Sequence, residues 1–233
     1  MNKKLGALGL SLMVCLLFVP AATAATCAAG DLVTVYDVPG FSCTLPSGPG
    51  TFLFSNFQSS LVSTVSVNVN PIPPASVPGV GPGEYGFLFT GGWNNSNTQD
   101  LNISFDVTGV GGALVDDIVL FFQNAGPYTG GEKVQFNETF CTNSGPLKCD
   151  SISITNPSDF VSKVFLKDTA LGGPQASIHI TKDVQFIGTG TASLSGWGNA
   201  YSAVPEPRAI SLMLGLALMA AVVFFKRQRA TQN

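Results

Sequence analysis

Through the middle of the chain, apolar and polar positions alternate with a period of two. Val65, Val67 and Val69 alternate with Thr64, Ser66 and Asn68. Leu101, Ile103, Phe105 and Val107 alternate with Asn102, Ser104 and Asp106, and Ala176, Ile178 and Ile180 with Ser177, His179 and Thr181. A strand with one buried and one wet face has this period. Further runs fall at 51–57, 85–90, 118–123, 133–140, 151–155, 161–167 and 190–195. Turn-forming clusters separate them, among them Gly48-Pro49-Gly50 and the stretches 71–83, 109–112 and 124–131. Between the termini no stretch carries a 3.6-residue apolar stripe with caps. The pattern predicts an all-β fold, an antiparallel β-sandwich of about nine to eleven strands, with a jelly roll as one candidate topology. The 71–83 segment reads as an extended loop inside one domain, because the strand pattern resumes at once beyond it.

The two ends break the alternation. Lys3 and Lys4 precede an apolar run from Leu5 to Val19, then Pro20 and the small-residue triplet Ala22-Thr23-Ala24. That order predicts a secretory signal peptide over 1–24, cut by signal peptidase after Ala24. At the other end, Val204-Pro205-Glu206-Pro207 leads into an apolar run from Ala209 to Phe225, followed by Lys226-Arg227-Gln228-Arg229. Seventeen helical residues reach about 25 Å, just enough for a bilayer core. The basic cluster of Lys226, Arg227 and Arg229 would hold the tail on the cytoplasmic side. Two prolines keep the triplet extended and accessible to a protease. The predicted division is therefore 1–24 signal, 25–203 ectodomain and 204–233 membrane-directed tail.

This tail resembles the PEP-CTERM sorting signal of Gram-negative bacteria, a Pro-Glu-Pro triplet, a transmembrane helix and an Arg-rich end. The resemblance implies that Pro205, Glu206 and Pro207 are the recognition triplet for exosortase, a membrane-embedded enzyme with a Cys nucleophile. It implies an intermediate anchored in the inner membrane, then a form at the cell surface or outside the cell, linked to exopolysaccharide and biofilm matrix. Arg208 departs from the pattern, standing where small or hydroxyl residues are commoner. Cys27, Cys43 and Phe54-Ser55-Asn56-Phe57 are similar to features of PEP-CTERM ectodomains and bring no activity with them.

Charge narrows the partners. Residues 25–204 hold five Lys and no Arg against 13 Asp and Glu, a net charge of −8. Such a surface repels phosphate backbones, which excludes nucleic acid as a partner. With 45% apolar residues and only 11% charged, the chain is also far from the composition of a disordered one.

Four cysteines remain after the signal is removed, Cys27, Cys43, Cys141 and Cys149. An even number in an exported chain reads as disulfides, and locality favours Cys27 with Cys43 and Cys141 with Cys149. Zinc would want closer pairs than these.

Candidate chemistry is sparse. The chain has one His, His179, on the polar phase of its strand, and no Gly-x-Ser-x-Gly elbow. Asp116 and Asp117 are adjacent, so on a strand they face opposite ways. With Asp100 and Asp106 they are candidate oxygens for Ca²⁺, without the Asp-x-Asp-x-Asp-Gly run of a dedicated loop. Trp93 and Trp197 lie among Gly and Asn, where a ring either stacks on a sugar or closes the core at a strand end. The reading is a non-enzymatic, cofactor-free surface or matrix protein, with a carbohydrate-binding module using Trp93 or Trp197 as the alternative and an extracellular hydrolase as the weakest.

Overall fold

The computed structural model describes residues 24–47, 50–61, 66–69, 83–94, 100–126, 128–143 and 145–205, together with Gly215 and Leu218. Two sheets form the sandwich. The first has seven strands, in the order β1 (Ala25–Thr26), β3 (Ser42–Ser47), β4 (Gly50–Ser59), β7 (Asp100–Val110), β12 (Ser177–Ile187), β9 (Lys133–Thr142) and β10 (Cys149–Asn156). The second has six, in the order β11 (Val161–Phe165), β8 (Ala113–Ala125), β13 (Ser193–Pro205), β6 (Tyr85–Asn94), β5 (Ser66–Val69) and β2 (Asp31–Leu32). Every pairing is antiparallel except β1 with β3. One helical turn, Val33–Tyr36, interrupts the strands near the start.

Alternation turns the apolar phase of each strand inward. Phe54 of the seven-stranded sheet meets Phe87 of the six-stranded sheet edge-on at 4.5 Å, and Phe87 meets Phe105 at 5.5 Å. Phe57 stacks on Phe105 at 5.0 Å. Toward the other end Trp197 packs against Phe89 at 4.7 Å and Phe136 at 5.1 Å. Edge-to-face pairs of this kind add roughly 0.5–1.5 kcal/mol each beyond area burial. A smaller cluster of Val119, Phe121 and Ala200 lies apart from this core, with Leu88 and Val161 against it.

Among the described residues thirteen strands stand where about nine to eleven were expected. Two of the additional ones, β1 and β2, are two residues long and below any periodicity signal. The larger difference is β13. The pattern suggested a strand over 190–195, yet β13 runs on through Gly196-Trp197-Gly198-Asn199 to Pro205. These glycines allow close pairing. A Cβ at Gly198 would stand 2.1 Å from the Phe87 carbonyl oxygen, and one at Gly86 2.0 Å from that of Asn199. The ectodomain boundary expected after 203 therefore moves, because Val204 and Pro205 still pair with Leu114 and Ala113.

Both expected disulfides are formed, Cys27 with Cys43 and Cys141 with Cys149. The second joins directly opposite residues of β9 and β10. Such bridges belong to an oxidising compartment, outside the cytoplasm. Residues 1–23 of the expected signal peptide, residues 71–82 of the expected extended loop, Glu206, Pro207, Lys226, Arg227 and Arg229 lie outside the described residues, as does nearly all of 209–225. Among the described residues no helix is long and apolar enough to cross a membrane.

Candidate functional site: a polar sheet face

The outward phase of the seven-stranded sheet is rich in carboxylates, amides and hydroxyls. Register sets them in rows. His179 on β12 lies opposite Asp106 on β7 and Cys141 on β9, and Thr181 lies opposite Ser104 and Thr139. Asp183 lies opposite Asn102 and Asn137.

At the centre, His179 Nδ1 lies 2.7 Å from Asp106 Oδ1, and Asn56 Nδ2 donates to Asp106 Oδ2 at 2.5 Å. Asn56 reaches it from a bulge. The β4–β7 register shifts between Ser55 and Gln58, and Asn56 takes a left-handed φ of 55°. Asn is among the few non-glycine residues that tolerate that region. Burial alone would raise the Asp106 carboxyl, but hydrogen bonds from His179, Asn56 and Asn143 hold it below the ordinary carboxylate value. Asn143 Nδ2 also donates to Ser177 Oγ at 3.0 Å, and Ser177 Oγ lies 2.8 Å from Thr108 Oγ1.

Beside this cluster a groove of about 270 Å³ opens between the end of β4 and β7, lined by Gln58, Ser60, Asn102, Ser104 and Thr181. Ser60 fixes its floor, donating to the Asn102 carbonyl and accepting from the Asn102 backbone N–H. Further along, burial and the neighbouring Asp100 carboxyl push Asp183 up to about 6. This face can offer many weak hydrogen bonds to a hydroxyl-rich ligand. Among the described residues no hydrogen bond joins His179 to a serine, threonine or cysteine, so the His–Asp pair has no nucleophile attached.

Of the two alternatives for Trp93 and Trp197, the structure gives closure of the core. Trp93 is 4% exposed and Trp197 fully buried, their rings 6.5 Å apart inside the core. A buried ring has no free face, so the role of glycan contact for Trp93 and Trp197 is corrected to core packing. The candidate calcium cluster also disperses. Asp117 lies in the six-stranded sheet, nearly buried, paired with Lys163 at 2.6 Å and accepting from the Ser202 N–H at 3.0 Å. Asp100 and Asp106 belong to the other sheet. Among the described residues no cluster of three His, Cys, Asp or Glu is placed to hold a metal. Pro205, the first residue of the expected sorting triplet, is the last residue of β13 as described.

One constellation escaped the sequence reading. Lys182 and Glu138 are both completely buried, opposite each other on β12 and β9, and joined by an ion-pair hydrogen bond at Glu138 Oε2. Asn199 on β13 donates from Nδ2 to the same Oε2 at 3.2 Å and also contacts the Tyr201 hydroxyl. Burial raises the Glu138 carboxyl despite Lys182 and Asn199, and lowers the Lys182 amine to about 8 despite Glu138. The signal was present: Lys182 stands between Ile180 and Val184, and Glu138 between Phe136 and Phe140, all on inward phases.

No family model matches the chain, and no curated protein matches it. Among solved structures it is similar to TmCBM61 in complex with β-1,4-galactotriose, at 12% identity and TM-score 0.32, covering 66% of this chain and 88% of that one. It is similar also to the enzymatically active domain of bacteriophage CBA120 tailspike protein 4, at 14% identity and TM-score 0.31, covering 65% of this chain and 19% of that one. Both scores lie below the level at which two chains share a fold, and neither carries an argument about ligand or activity.

Proposed function

We propose that this chain is an exported, non-enzymatic β-sandwich, sorted by exosortase through its C-terminal signal and displayed at or released from the cell surface. The observation that supports it is the order of features at the C-terminus: Pro205-Glu206-Pro207, then the apolar run from Ala209 to Phe225, then Lys226-Arg227-Gln228-Arg229. The two disulfides support the exported setting. The link to exopolysaccharide rests on the sorting resemblance. The test is an immunoblot of membrane and medium fractions from the native host with and without its exosortase. Glu206→Ala should leave export intact and accumulate a heavier, membrane-bound form. A mature wild-type chain that still carries residues 208–233 overturns the reading.

A second reading, carbohydrate binding, keeps one specific observation in its favour, the groove that Gln58, Asn102, Ile103, Ser104 and Thr181 line beside Asp106 and His179. It moves the binding surface from the tryptophans to the face of the seven-stranded sheet. Glycan-array binding that Thr181→Arg abolishes and Trp93→Phe retains would support it. Binding untouched by Thr181→Arg would remove it.

A further inference from the structure

We propose that Lys182 and Asn199 react within the folded core to form an intramolecular amide cross-link between the two sheets, with Glu138 as the acid–base catalyst. Three facts of placement carry this. Lys182 lies on β12, inside the seven-stranded sheet, and Asn199 on β13, inside the six-stranded sheet, so their side chains meet across the sandwich. Lys182 Nζ and Asn199 Nδ2 share one acceptor, Glu138 Oε2, so the amine and the amide are neighbours on a single carboxyl oxygen. Among the described residues, Glu138 Oε1 and Asn199 Oδ1 are buried without partners.

A static ion pair leaves those two oxygens as an uncompensated cost, since a buried acceptor without a donor has lost its hydration and gained nothing in return. As a reaction site the same arrangement is complete. The nucleophile must be a neutral amine, and desolvation among apolar neighbours is the usual way to obtain one from lysine. Lys182 Nζ lies 4.9 Å from the centre of the Phe105 ring and 5.7 Å from that of Phe136, inside a fully buried pocket. Burial moves both members toward the neutral pair, amine and carboxylic acid. An amide is a weak electrophile until a donor polarises its carbonyl. The Glu138 carboxylic acid and the Tyr201 hydroxyl, both in contact with the Asn199 amide, are the donors at hand.

The step balances without oxidant or reductant. Lys182 Nζ attacks Asn199 Cγ and a C–N bond forms. Glu138 gives its carboxylic proton to Oδ1 as Nζ attacks, takes one proton from Nζ and delivers it to Nδ2, and recovers the first as the carbonyl re-forms. The Cγ–Nδ2 bond breaks, ammonia leaves, and Glu138 returns to its starting state. Positioning compensates for the poor leaving group, because fixed intramolecular partners reach effective molarities of roughly 10⁵–10⁸ M. Exclusion of water keeps the product from hydrolysing.

The experiment is intact-mass and peptide analysis of the mature chain purified from an exporting host. The expected wild-type mass is one ammonia below that of the disulfide-bonded sequence. Lys182 in amide linkage is no longer a trypsin site, so a peptide beginning at Asp168 should run uncut through Lys182. A second protease should then release the Lys182 and Asn199 segments as one branched species. Glu138→Gln, nearly isosteric, should restore the full mass and the cut at Lys182. Full mass in the folded wild type overturns the proposal, and this outcome needs no variant to fold. Loss of ammonia with Lys182 still cleaved also overturns it, since that marks a succinimide. Cross-linking undiminished in Glu138→Gln overturns the catalytic assignment.

Discussion

Two carboxylate–base pairs lie on opposite faces of the same sheet, and burial sends them in opposite directions. On the outer face, Asp106 keeps water and several donors around it, and its carboxyl is held below the ordinary value. On the inner face, Glu138 has Lys182 as its partner but no water, and its carboxyl is raised. The partner alone does not decide the state of such a group. Desolvation competes with every hydrogen bond, and only the exposed pair receives enough of them to win.

The inner pair should give the largest effect. Lys182→Ala leaves a buried carboxyl without its base and should cost about 3–5 kcal/mol in urea unfolding. Lys182→Met combined with Glu138→Leu should recover the part of that loss that comes from the stranded carboxyl. A single-variant cost near zero would mean that water enters beside Glu138.

Next is the covalent element of the outer row. Replacing Cys141 and Cys149 together by Ala should cost about 2–3 kcal/mol on the chain-entropy model. Thermal unfolding with and without reductant checks it, and equal midpoints would sink it.

Asp183 supplies a smaller, pH-dependent effect. Its folded value of about 6 exceeds the unfolded value of about 3.9. The folded state therefore binds more protons between those values, so this stabilising contribution is complete below about pH 4 and is lost as pH rises through 6. Asp183→Asn should flatten that part of the stability profile between pH 4 and 7. A wild-type profile that rises steadily through the same window, with the variant parallel to it, would contradict the assignment.

Asp106 should show the smallest effect, with the opposite sign. Its depressed value contributes stability above the ordinary carboxylate value of about 3.9, lost as pH falls through the lower folded value. Because the pair is half-exposed, Asp106→Asn should cost less than about 1 kcal/mol at pH 7. A larger loss would mark the pair as structural.

Much of this fold was legible from alternation, since period two reports which face of a strand is wet. The inward phases of β7, β9 and β12 follow directly from it. Pairing was not legible: Asp106 and His179 are 73 residues apart, and nothing local to either announces the other. The choice between core and surface for the tryptophans was left open for a related reason. Glycines around Trp197 resemble a loop in sequence, whereas here they let β13 and β6 approach. Lys182 and Glu138 were readable by phase, as charged residues inside apolar series, but Asn199 joins them only through the sandwich.

The end of β13 has a mechanical consequence. β13 has a strand on either side, β8 and β6, and ends at Pro205 beside Ala113. If a segment beyond residue 205 holds the chain, any pull runs along the axis of β13. Ladder hydrogen bonds lie across that axis, so both rows are loaded in shear together instead of opening one by one. Resistance then depends on the forced unfolding rate and not on equilibrium stability. An amide at Asn199 would pass the tension to β12 and leave only residues 200–205 to slide.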